Sequence, residues 1–212
     1  MSIAKHDNVT ELSTQNLGAL VELQRNEFRA EGDVTYATRI DRLKRLKALI
    51  VENKKEFATT TKREFNGARS YEFSLFSEFA SKVEAIDYSI KHLKGWMKPE
   101  TRKTNKPMNF LGGKSQVRYF PKGVVGIISP WNLPFGLTVA PLTSALAAGN
   151  RAILKPSEYV PETAALFAEV VPRYFSQDEV AVVTGGSDIS QKFAQLPLDH
   201  LLFTGSTHVG AQ

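Results

Sequence analysis

The sequence predicts an α/β fold in which N-terminal helices and a β-hairpin precede a doubly wound parallel sheet. Three observations carry this expectation. Apolar residues recur at helical spacing between about Leu17 and Trp96. A Gly112-Gly113 pair stands between two short β-rich runs. From Lys122 onward, short apolar runs alternate with helical stretches, as the strands of a parallel sheet alternate with the helices that cover it. The expected organisation is a flexible lead-in over 1–16, a helical part over 17–106, a hairpin over 107–121 and a sheet-building part over 122–212 that is incomplete on its C-terminal side.

In chain order, the first strongly periodic segment runs from about Arg39 to Glu52. Ile40, Leu43, Leu46, Leu49 and Ile50 face inward, and Arg42, Lys44, Arg45 and Lys47 form a solvated basic face. Phe76, Phe79, Val83, Ile86, Ile90 and Leu93 follow at 3,4,3,4,3 spacing, which places all six on one helical face in the core. Pro99 ends the helical part. Pro107 to Phe120 then reads as two strands around the Gly112-Gly113 turn, a hairpin able to pair with another chain. Four strands are expected beyond it, at Val124–Ile128, Arg151–Leu154, Val180–Val183 and His200–Phe203. Helices begin near Phe135, Pro161 and Ser187; Pro161 suits a first helical turn and Gly149 a helix stop.

Composition narrows the function. At 212 residues and 42% hydrophobic, the chain is long enough to bury a core. The 27 basic residues against 22 acidic ones are spread over several segments, which argues against nucleic acid as a partner. No apolar stretch reaches the ~20 residues of a membrane span and the first residues lack a signal-peptide core, so the expected location is cytoplasmic, with no membrane partner. There is no cysteine, hence no disulfide, thiolate metal site or cysteine nucleophile, and the four histidines lack ligand spacing, so no metal is expected.

The unusual residues fall at the carboxyl ends of the expected strands, where open parallel sheets bind ligands. Ile128 is followed by Ser129-Pro130-Trp131-Asn132-Leu133-Pro134, the second strand by Lys155-Pro156-Ser157-Glu158, the third by Thr184-Gly185-Gly186, and Phe203 by Thr204-Gly205-Ser206-Thr207-His208-Val209-Gly210. Gly205 and Gly210 permit a backbone approach to phosphate, although a glycine pair by itself marks a plain turn. Lys155 and Glu158 suit ribose hydroxyls, or a surface ion pair. Asn132 offers an amide to a developing oxyanion, or caps a turn. Gly112-Gly113-Lys114-Ser115 is a false P-loop: Met108 stands where the first glycine is needed, and a strand follows instead of a helix.

The series Pro121-Lys-Gly-Val-Val-Gly-Ile-Ile-Ser-Pro-Trp-Asn-Leu-Pro-Phe135, Ala148-Gly-Asn150, Lys155-Pro-Ser-Glu158 and Phe203-Thr-Gly-Ser206 resembles the aldehyde dehydrogenase superfamily in order and spacing, and the helical part before it resembles the class 3 branch and the coniferyl aldehyde dehydrogenases. The resemblance implies the Rossmann-like fold of that family and NAD(P)-dependent oxidation of an aldehyde, of aromatic coniferyl type, to the acid. Asn132 then donates to the oxyanion, and Lys155 and Glu158 hold the adenosine ribose. Ile128, Ser129, Pro130 and Trp131 line the cofactor groove, and Gly185 allows close approach of the adenine. Gly205 to Gly210 meet the pyrophosphate, Ser206 through its hydroxyl, and Ser157, Gly186, Phe203, Thr204, Thr207 and Val209 complete the contacts. Glu158 disfavours a 2′-phosphate, so NAD is expected, with NADP second.

The resemblance further implies a homodimer in the full-length protein, with the hairpin as oligomerisation segment. It places the cysteine nucleophile and general-base glutamate beyond Gln212, so that these 212 residues alone are expected to be inactive. The alternative is a truncated, non-catalytic nucleotide-binding or interaction protein. An unrelated Rossmann oxidoreductase would need a Gly-x-Gly-x-x-Gly turn where Ser129-Pro-Trp-Asn-Leu-Pro134 stands.

Overall fold

The computed structural model describes residues 14–211, with side chains from Leu17 onward, so most of the expected lead-in over 1–16 lies outside the described residues. Helix α1 (Thr14–Glu31) gives way to Gly32, whose φ of 65° is the left-handed conformation that closes helices. Helix α2 (Tyr36–Glu64) starts after Thr35, whose hydroxyl accepts the Thr38 amide at 3.1 Å. Leu43, Leu46, Leu49 and Ile50 are buried as expected, and the helix outruns the expected Glu52 because Phe57 and Ala58 continue its buried face.

The basic face of α2 is not simply solvated. Arg42 is buried and bonds Glu31 at 2.9 Å and Glu179 at 3.0 Å; half-buried Arg45 reaches Glu179 at 2.6 Å. Arg151 closes the network on Glu31 at 3.0 Å and Asp178 at 2.6 Å. The periodicity of α2 alone carries no sign of these partners, which come from three separate stretches of chain.

Burial pushes the Glu179 carboxyl up, but hydrogen bonds and charge from Arg45 and Arg42 outweigh it and bring the group from 4.5 down to about 2. A carboxyl lowered in the folded state adds stability above its unfolded pKa and loses it as pH falls through the folded value. Unfolding by urea is therefore expected to become easier between about pH 4.5 and 2, with Glu179 accounting for about 2 kcal/mol of the loss. Glu179→Gln should flatten that part of the profile; an unchanged slope would refute the assignment.

Helix α3 (Tyr71–Ser74) passes through a π-helical turn at Leu75–Ala80 into α4 (Ser81–Trp96). Phe79, Ile86 and Leu93 are buried, and Val83 and Ile90 pack against the core, but Phe76 is 81% exposed. The wider turn takes in an extra residue, which rotates everything before it by roughly 100° about the axis. Leu75 packs inward in place of Phe76.

The hairpin is present with a different first strand. Strand β1 (Glu100–Arg102) pairs antiparallel with β2 (Ser115–Val117), Thr101 opposite Gln116. The stretch after Pro107, expected as a strand, closes on itself instead: Phe110 N donates to the Pro107 carbonyl and Gly113 N to that of Met108, both at 2.9 Å. Those local bonds, with a proline that has no amide to give, remove the segment from any ladder.

Strands β3 (Val124–Ile128), β4 (Arg151–Lys155), β5 (Val180–Val182) and β6 (His200–Phe203) form one parallel sheet in the order β5-β4-β3-β6. They are linked through α5 (Gly136–Ala147), α6 (Pro161–Val170) and α7 (Ser187–Ala194). Both faces are covered. Val125, Ile127, Ala152, Leu154 and Val180 meet the side chains of α2, α4, α5 and α6, whereas Val124, Ile153 and Ala181 meet Leu17, Leu20 and Val21 of α1 and Phe193 of α7. Successive residues of a strand point to opposite faces, so a sheet buried on both sides reads as an unbroken apolar run.

The Ala148-Gly149-Asn150 motif has a structural role. Gly149 has a φ of 88°, and Asn150 Oδ1 accepts the Lys122 and Gly123 amides at 2.6 and 3.0 Å, which fixes the start of β3 beside β4. Among the described residues no helix is long and apolar enough to cross a membrane, and no group of three or more His, Cys, Asp or Glu side chains is placed to hold a metal ion.

Candidate functional site

The strand order creates a switch point. From β3 the chain steps outward to β4 and β5, then returns to place β6 on the other side of β3. Loops leaving the carboxyl ends of β3 and β6 therefore diverge, and such a crevice is where open α/β sheets receive ligands.

The register brings several of the expected residues side by side. Ile128 lies opposite Lys155 on one neighbour and Phe203 on the other. Ser129 N donates to the Lys155 carbonyl at 3.2 Å and Thr204 N to the Ile128 carbonyl at 3.1 Å, so the three strand ends are joined beyond the ladder.

Lys155 is the most unusual group on this edge. Its side chain is only 1% exposed; Nζ donates to the Pro156 carbonyl at 2.8 Å and stands 3.8 Å from the Glu158 carboxylate, which is too long for a hydrogen bond. Burial pushes its pKa down, opposed by the charges of Glu158 and Asp188. An ammonium has three donors, so this one keeps capacity for an oxygen-rich ligand. Ser157 is buried and its Oγ accepts the Tyr159 amide at 3.2 Å.

The loop after β3 is more committed to the fold than its sequence suggests. Ser129 is 2% exposed, and its hydroxyl lies 2.6 Å from that of Thr138, whose own proton goes to the Pro134 carbonyl at 2.7 Å. Ser129 is therefore the donor in that pair and its side chain is spent internally. Pro130 is half-buried, and Trp131 and Asn132 are exposed. The Trp131 ring stacks on Phe65 with centroids 6.4 Å apart.

The remaining loops are shaped by packing as well as by exposure. Gly185 has a φ of 137°, and a side chain there would run into Ile189; Gly186 is the N-cap of α7. A Cβ on Gly205 would stand 2.3 Å from the Phe203 ring and one on Gly210 at 3.1 Å, so both glycines make room for that ring. Ser206 caps the short helix α8 (Thr207–Gly210), its Oγ accepting Val209 N at 3.3 Å, which leaves the hydroxyl proton available. Thr207 and Val209 are exposed.

Two residues that sequence reasoning passed over support the Asn132 loop from the helical part. Glu78, 1% exposed, accepts the Phe135 and Gly136 amides at 2.9 Å each, and Arg69 Nη1 at 2.9 Å. Arg69 Nη2 donates to the Asn132 carbonyl. An acidic residue inside the apolar stripe between Phe76 and Phe79 was the one available signal.

Both the sequence and the fold have known counterparts. Residues 4–212 match the model of the aldehyde dehydrogenase family. The chain is 38% identical over 202 residues to a coniferyl aldehyde dehydrogenase of Pseudomonas sp. strain HR199, covering 95% of this chain and 41% of that protein. Its structure resembles the substrate-bound state of Staphylococcus aureus AldH, with a TM-score of 0.85 and 29% identity over 91% of this chain and 41% of the other. It also resembles an NAD+ complex of an aldehyde dehydrogenase from Bacillus cereus, with a TM-score of 0.79 and 26% identity over 93% and 40% of the two chains. The chain thus spans about two-fifths of the length of the relatives it matches.

Proposed function

Since this chain belongs to the aldehyde dehydrogenase family, we propose that the complete gene product oxidises an aromatic, coniferyl-type aldehyde to its acid with NAD, and NADP second. In it these residues supply the dinucleotide cradle and one oxyanion donor. The observation that carries the proposal is Lys155, a buried ammonium with unspent donors at the carboxyl edge of a switch point.

The residues present fit a dinucleotide. Lys155 and Glu158 offer a donor and an acceptor to ribose hydroxyls, with Ser157 fixing the turn between them. Ile128, Pro130 and Trp131 form the wall, joined by the backbone of Ser129. Gly185 and Gly186 leave the adenine end without side chains, and Phe203 to Gly210, with the Ser206 proton, face the pyrophosphate. When bound, the nicotinamide supplies hydride acceptance. Asn132 presents its side-chain amide to the carbonyl oxygen as charge develops there, and so stabilises the tetrahedral stage more than the aldehyde. The cysteine nucleophile and the general-base glutamate, like the partner protomer of a homodimer docked through the hairpin, belong to the rest of the protein.

The test is production of reduced nicotinamide by the complete gene product given an aromatic aldehyde. Lys155→Ala is expected to weaken NAD binding by about 10- to 100-fold, the usual worth of a charged hydrogen bond, with a smaller change in kcat. Glu158→Gln should narrow the preference for NAD over NADP. A product that binds NAD and oxidises no aldehyde would favour the non-catalytic nucleotide-binding alternative; unchanged NAD affinity in the Lys155 variant would overturn the assigned cradle.

A further inference from the structure

The loop that carries Asn132 is held by little of its own making: among the described residues, none accepts a hydrogen bond from the amides of Trp131, Asn132 or Leu133. Its Leu133 carbonyl accepts the Leu137 amide of α5 at 2.9 Å, and the Asn132 carbonyl before it is held by Arg69. The guanidinium places Nη1 on the buried Glu78 at 2.9 Å and Nη2 on the Asn132 carbonyl, and it lies 4.2 Å from the Phe65 ring centroid and 5.8 Å from that of Phe73. Phe65 in turn stacks on Trp131, so the same cluster grips the loop at two successive residues. Glu78 is fixed on the two amides that open α5. The loop, the helix start and the guanidinium are thereby joined in one cluster of contacts.

We propose that Arg69 is a positioning residue, which ties the Asn132 backbone to the Glu78 carboxylate so that the Asn132 amide keeps a single orientation at the edge of the cofactor crevice. The proposal rests on Asn132 being the oxyanion donor. Only a planar fork with several donors bridges both acceptors at once. A lysine keeps the charge opposite Glu78 but concentrates it at one point.

The discriminating variant is therefore Arg69→Lys. In the 212-residue chain, backbone NMR order parameters at Trp131 and Asn132 are expected to fall from about 0.85 toward 0.6, while those of Phe135 and Gly136, still held by Glu78, stay at the rigid value. In the complete gene product the same variant should lower kcat by about 10- to 100-fold, with the KM for NAD little changed, because the reacting geometry is lost and the cradle is not. Should Arg69→Lys fail to fold, the double variant R69M/E78Q removes both charges together and is expected to loosen the same two residues. Order parameters that stay at the wild-type value overturn the proposal, as does a uniform loosening that includes α5. If the wild-type gene product oxidises no aldehyde, the role of Asn132 fails, and the order parameters still decide whether the clamp exists.

Discussion

Asn132→Ala is expected to lower kcat of the complete gene product by about 10²- to 10³-fold, the usual cost of removing one oxyanion donor. Cofactor affinity should hardly change. Asn132 stands in an exposed loop at the switch point, its backbone carbonyl taken by Arg69 and its side-chain amide aimed at no partner among the described residues. Truncation therefore leaves β3, α5 and the strand-end bonds at Ser129 and Thr204 in place. Single-turnover kinetics separate the step: hydride transfer should slow by the same factor as kcat. A variant with unchanged kcat, or one that loses NAD affinity instead, would place Asn132 outside the chemistry.

Glu78→Ala is expected to cost about 3–5 kcal/mol of stability, read as a lower urea midpoint at unchanged slope. Helix α5 has no capping side chain and no acidic residue in its first turn, so the Phe135 and Gly136 amides depend on a carboxylate from another helix. Removing it leaves those amides without an acceptor and the Arg69 guanidinium, 12% exposed, with the Asn132 carbonyl but no counter-charge. Glu78→Gln should recover part of the loss, since an amide oxygen still accepts from the helix start but brings no charge to Arg69. A loss below about 1 kcal/mol for the alanine variant would mean that water replaces the carboxylate.

The places where sequence reasoning failed are close to this support. A straight α-helix puts Phe76 beneath Phe79 in the core; the π turn carries it outward and holds Glu78 where it meets α5. Arg42 was read as solvated because its helical neighbours are basic, yet Glu31 and Glu179 bury it. The hairpin took its first strand from Glu100–Arg102 because the segment after Pro107 satisfied its own backbone in turns. The Arg42 error concerns partners distant in sequence, and the other two concern local backbone turns that side-chain periodicity does not record. Lys155 stands at the strand end where its sequence position puts it, whereas its burial and free donors have no sequence signal.

Local sequence patterns specify the sheet and its helices, because alternation, apolar runs and proline or glycine stops act over a few residues: β3 and β6 have the expected bounds, and α6 and α7 begin at Pro161 and Ser187. The sequence also determines the family, through the order of motifs at the strand ends. Which polar side chains are buried and paired depends on the packing of distant segments. The charge on Glu78 or Arg42 is tolerable in a low-dielectric interior only when a partner from another segment arrives, and no local pattern records that arrival.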